Sequence, residues 1–121
     1  SKIKVHESYI PVEEMQYFVN AADAIVIPRM RSLNSGDVAL GLTFGRVVIG
    51  PNIGVIGEML RETNNPTFDP MDPHTLGQAM TESVKMAGTD RAKSNQTYAK
   101  ARLRWSDIAD EQLSFYKKIG K

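Results

Sequence analysis

Two short loops hold the residue types that could bind a phosphorylated ligand. Asn34-Ser35-Gly36-Asp37 sets an amide, a hydroxyl and a glycine where the next segment turns helical. A helix start offers free N–H groups and the positive end of its dipole, and a glycine lets an anion approach the backbone. Arg29 and Arg31, a few residues upstream, could add charge-assisted contacts. The second loop, Gly50-Pro51-Asn52-Ile53-Gly54, carries two glycines able to take positive φ, and Glu58 follows in the next helix. Taken alone, each loop has an ordinary explanation too. Asn34 or Ser35 can simply cap a helix, and Glu58 can be a solvated helix carboxylate.

Other residues offer less chemistry. His6 and His74 have no partner at metal-ligand spacing, and the chain has no cysteine, so no metal site is expected. Two histidines without a nucleophile elbow do not make a hydrolytic triad. Glu13, Glu14, Asp69 and Asp72 fit first turns or loops. Met80, Met86 and an apolar stripe from Trp105 to Tyr116 read as core or interface.

The elements that position these loops follow from hydrophobic periodicity. Lys2 to Val5 is a short extended candidate. Val12 to Ala22 reads as a helix, with Met15, Phe18, Val19 and Ala22 on one face. Ala24-Ile25-Val26-Ile27 is an unbroken apolar run stopped by Pro28, the pattern of a strand buried on both faces. A helix is expected over 35–44, then a turn at Gly45-Arg46 into a second buried strand, Val47-Val48-Ile49. A short helix over 55–62 and an edge strand at Pro66-Thr67-Phe68 come next. Asp72-Pro73 is a strong helix start for a segment carrying Leu76, Met80, Val84 and Met86 or Ala87. After a polar break at 88–94, a closing helix spans 94–120, its apolar face formed by Trp105, Ile108, Ala109, Tyr116 and Ile119. Strands alternating with helices predict an α/β fold with a parallel sheet, partial and Rossmann-like.

Composition bounds the rest. The 121 residues suit one domain; 41% are apolar and 24% charged, and the net charge of +1 argues for neither a nucleic-acid partner nor an acidic substrate, so no nucleic-acid partner is expected. No apolar run approaches the roughly 18 residues that span a bilayer, and no signal peptide opens the chain. A cytoplasmic location is the expectation.

Several segments, in order along nearly the whole chain, resemble the donor-binding domain of family-4 GT-B glycosyltransferases. Ala22-Asp23-Ala24-Ile25-Val26-Ile27-Pro28 is similar to an "ADxxxxP" strand. Leu33-Asn34-Ser35-Gly36 and Ala39 to Ile49 are similar to "LNSG…LAxxFGRPVIA", and Ile53 to Glu58 to "GGIPE". Thr67 to Asp72 with Leu76 and Ala79 resembles "LVPPxDxxxLAxAI", Trp105 to Tyr116 a closing "SWxxIAxxxxxxY" helix, and Tyr9 to Met15 "VPxEEL".

The resemblance implies a retaining, metal-independent transfer of sugar from a nucleotide-diphosphate sugar. This part would bind the donor, and a separate N-terminal domain would hold the acceptor. Carried over residue by residue, Asn34, Ser35, Gly36 and Asp37 would bind the diphosphate, with Arg29 nearby. Tyr9 and Ile10 would lie against the base, and Gly54 and Glu58 would line the sugar pocket. The family's usual pair of glutamates would fall at Ser32 and Leu40, so both carboxylates are absent and no catalytic residue is assigned. Relative to that family, 1–121 begins at the third strand of a 3-2-1-4-5-6 sheet. The isolated piece is then expected to be inactive, peripheral to a membrane at most, and liable to self-associate through an exposed edge at Ala24 to Ile27.

Overall fold

The computed structural model describes residues 3–28, 36–102 and 117. Three strands, β1 (Ala24–Val26), β2 (Val47–Pro51) and β3 (Thr67–Phe68), form a parallel sheet in the order β1-β2-β3. Among the described residues five helices accompany them: α1 (Val12–Ala21), α2 (Gly36–Thr43), α3 (Gly54–Glu62), α4 (Pro73–Met86) and α5 (Asp90–Arg102). The fold is therefore α/β and partial Rossmann-like, as the alternation of apolar runs and amphipathic segments predicts.

Side chains alternate across the sheet and build two cores. On one side Ile27 and Val48 meet Val38 and Leu42 of α2, Ile56 and Leu60 of α3 and Ala99 of α5. On the other, Ile49 and Phe68 pack with Ala79 of α4, bordered by Ala24, Val26 and Leu76. All of β2 is buried, which matches its unbroken apolar sequence. Close approach of the helices depends on glycine. A Cβ at Gly41 would lie 2.5 Å from Val48 Cγ2, and one at Gly50 would lie 2.8 Å from Leu60 Cδ1.

Hydrogen bonds explain where the strands stop. Register pairs Ile25 with Val48, and Ile27 N–H donates to Ile49 O at 2.8 Å. In a parallel ladder alternate residues face alternate neighbours, so Ile25 and Ile27 face β2 while Ala24 and Val26 turn their backbone groups outward. The next rung would need an N–H at position 51, which Pro51 lacks, and Pro28 ends the outer edge in the same way. On the far side of β2, Val48 N–H reaches beyond the start of β3 and donates to the Asn65 side chain at 3.1 Å.

That Asn65 belongs to a buried amide pair. Asn65 and Asn95 exchange two hydrogen bonds of 2.9 Å, and Asn95 also donates to Arg46 O at 3.0 Å. Asn65 further donates to Thr63 Oγ1 at 2.8 Å. The cluster ties α5 and the end of α3 to the amino edge of the sheet. Both helices leading there end in the same motif. Gly45 (φ 68) after α2 and Asn64 (φ 56) after α3 take the left-handed conformation, and the bonds Arg46 N to Gly41 O and Asn65 N to Leu60 O close each turn.

Several expectations need correction. The strand expected over Lys2 to Val5 does not form at Ile3 to Val5, the described part of it, where Ile3 and Val5 are exposed. β1 is half-buried rather than covered on both faces, because no described strand lies beyond it. Gly50 does not turn the chain: it lies in β2, and only Gly54 of that loop has positive φ (53). On α4 the buried positions are Ala79 and Ser83, whereas Met80 and Val84 are exposed. Met86 is half-buried. The expected polar break over 88–94 shrinks to a turn, since α5 already begins at Asp90. Trp105 to Tyr116, and with it most of the closing helix, lies outside the described residues.

Candidate functional site

Parallel strands that each feed a helix bring successive helix starts to one edge of the sheet, the carboxyl edge. Here β1 leads to α2, beginning at Gly36, and β2 leads through Asn52 and Ile53 to α3, beginning at Gly54. Gly36, Asp37 and Gly54 thus share that edge. Glu58 lies one turn after Gly54 on the same helix face, and its side chain is exposed. Asn34, Ser35 and Arg29, with Arg31, lie outside the described residues. Tyr9 and Ile10 precede α1, with Tyr9 exposed and Ile10 half-buried. Val19 is the single buried residue of α1, so packing does not fix Tyr9 and Ile10 against the other two loops.

The two helix starts differ in electrostatics. α2 has Asp37 in its first turn, a carboxylate that already complements the dipole. α3 has no acidic residue in its first turn, and its N-cap, Ile53, has no side chain able to accept from the free amides. The α3 start is the more receptive of the two toward an anion. Its loop is held in place: Arg61 Nη1 donates to Asn52 Oδ1 across the turn. Gly57 lies beneath Asn52, where a Cβ would come within 2.9 Å of the Asn52 carbonyl carbon.

A cleft of 310 Å³ opens at the same edge, between β3 and α4. Asn52, Thr67, Phe68, Asp69, Gln78 and Glu82 line most of it. Hydrogen bonds brace the segment Asp69 to Thr75 that closes one end: Asp72 caps α4 by accepting from His74 N–H at 3.1 Å, and Thr75 Oγ1 donates to Asp72 O at 2.6 Å. Asp69 accepts from Met71 N–H at 2.9 Å. The sequence reading assigned Asp69 and Asp72 to loop and cap roles, which these bonds bear out, but it missed the cleft. The available signal was the i, i+4 pair Gln78 and Glu82 on a helix that follows the strand formed by Thr67 and Phe68.

No group of three or more His, Asp or Glu side chains able to hold a metal occurs among the described residues. No described helix is long and apolar enough to cross a membrane. Comparison of the chain with protein-family models, with curated proteins and with solved structures gives no match.

Proposed function

We propose that this chain is the nucleotide-sugar-binding part of a retaining GT-B-type glycosyltransferase. The observation that carries the reading is the delivery of two successive glycine-bearing helix starts, at Gly36 and Gly54, to one edge of a parallel sheet. The ordered resemblance from Tyr9 to Tyr116 supplies the substrate class. In this reading the diphosphate lies on the amides at the starts of α2 and α3, and helix dipoles stabilise the leaving group. The sugar end lies toward Gly54 and Glu58. Acceptor binding and transfer belong to an N-terminal domain of the same enzyme.

A second reading, a nucleotide- or phosphate-binding module without catalysis, is favoured by one observation. Leu40 stands where the family carries a glutamate, and it is half-buried in α2. Titration of isotopically labelled chain with UDP, GDP and their sugars tests both. The amides of Gly36, Asp37, Gly54 and Val55 should shift saturably. If none moves, in this chain or in longer protein containing it, both readings fall. Equal affinity for the free nucleotide and all its sugars, with no transfer by the longer protein, selects the second.

A further inference from the structure

We infer that the cleft between β3 and α4 is a binding site for an uncharged, hydroxyl-rich ring, a saccharide, that extends along the outer face of α4. This goes beyond the nucleotide reading and does not depend on it, because the residues involved are different.

Charge decides the class of ligand first. Among the described residues Asp69 and Glu82 line the cleft and no Lys or Arg does, so a phosphate or other anion is disfavoured there. What remains is hydrogen-bonding capacity held by planar groups. Asn52 has its Oδ1 engaged by Arg61, which leaves the amide N–H₂ as a donor. The side chains of Thr67, Gln78 and Glu82 make no hydrogen bond or ion pair in the described structure, and Asp69 keeps a second carboxylate oxygen. Amides that both donate and accept, next to carboxylates that accept from two neighbouring hydroxyls, match vicinal diols. Phe68 and Ala79 supply the apolar floor a ring can rest on.

The helix itself adds a second observation. A shallower hollow of 520 Å³ continues from the cleft along α4, shares Gln78 and Glu82 with it, and is also lined by Thr81 and Lys85, which can donate to ring hydroxyls. Gly77 lines that hollow, and a Cβ there would meet nothing within 4 Å. Glycine is the least favourable residue in a helix interior apart from proline, and no packing among the described residues calls for it. An absent side chain keeps the hollow open next to Gln78 and Glu82. Together the two concavities fall within the usual range of small-molecule sites and accommodate more than one sugar ring.

Labelled chain titrated with maltose, cellobiose and N,N′-diacetylchitobiose tests the inference, with inorganic phosphate and spermidine as charged controls. At least one saccharide should saturably shift the side-chain amides of Asn52 and Gln78, and phosphate should not. Glu82→Gln should raise Kd about tenfold, the effect of weakening one hydrogen bond to a charged group. Gly77→Leu should abolish the shifts while leaving thermal stability equal or higher, so loss of binding is separable from loss of fold. The inference is overturned if no saccharide acts, if phosphate or spermidine alone moves these amides, or if both variants bind like the parent. Shifts at Gly36 and Gly54 with nucleotides are a separate readout, so failure of one reading leaves the other standing.

Discussion

Replacing Asn95 by alanine tests whether the buried amide pair holds the amino edge together. Asn95 is 1% exposed and takes part in three hydrogen bonds, two with Asn65 and one to Arg46 O. Each is worth about 1 kcal/mol net, so Asn95→Ala should cost about 3 kcal/mol. Asn65 would keep Val48 N–H and Thr63 Oγ1 as partners, which limits the loss. Against a domain stability of roughly 5–15 kcal/mol this is a large fraction, lowering Tm by roughly 10 °C. Denaturant titration of Asn95→Ala, Asn65→Ala and the double variant measures the pair directly. Because two bonds are shared, the single losses should sum to about 1–2 kcal/mol more than the double loss. Nucleotide and saccharide binding at the opposite edge should be unchanged well below Tm. A loss under about 1 kcal/mol for Asn95→Ala, or coupling within the usual additivity error of about 0.5 kcal/mol, would refute the reasoning.

Three further outcomes are expected. Gly57→Ala places a methyl 2.9 Å from a backbone carbon of Asn52, which cannot rotate away; it should cost about 1–3 kcal/mol and weaken nucleotide binding at the α3 start, read by calorimetry and amide shifts. Tyr98 has its pKa raised above 10.0, first by burial and then by Glu62, whose Oε2 accepts its O–H at 3.2 Å. A raised folded-state pKa gives stability that is complete below the unfolded value and is lost as pH rises through the folded one, so stability should fall at alkaline pH and fall less in Tyr98→Phe. The outward backbone groups of Ala24 and Val26 should let two chains pair edge to edge; sedimentation showing one monomeric species at all concentrations removes that expectation.

Much of this architecture was legible because its signals are local. The apolar runs at 24–27 and 47–49 can satisfy their side chains only inside a sheet. Asp72-Pro73 announces a helix by cap chemistry, and Gly45 marks a stop that only left-handed backbone allows. Errors arose where tertiary surroundings decide. Leu76, Met80 and Val84 share a helix face in principle, yet only Leu76 borders the core; the sheet meets α4 at Ala79 and Ser83, and Met80 and Val84 are exposed. Gly50 looks like a turn residue in sequence, but it is a strand residue made small by Leu60 and Ile56 above it. The amide pair was invisible, since the polar partners Asn65 and Asn95 are 30 residues apart and neither has a local signature. The candidate nucleotide loops were found through glycine and resemblance. The cleft was not, because its polar residues look like ordinary surface until β3 and α4 bring them together.

Asn95 has one more consequence. With Gln96 and Thr97 it spells the Asn-x-Thr acceptor pattern for N-linked glycans. Its amide nitrogen, the atom a glycan would occupy, is the one that donates to Arg46 O and Asn65. In the folded chain that nitrogen is sealed from any transferring enzyme. A chain modified there before folding would carry a bulky sugar at the junction of α3, α5 and β2 and could not close it. Folding and glycosylation at this position are mutually exclusive, because the same nitrogen serves both.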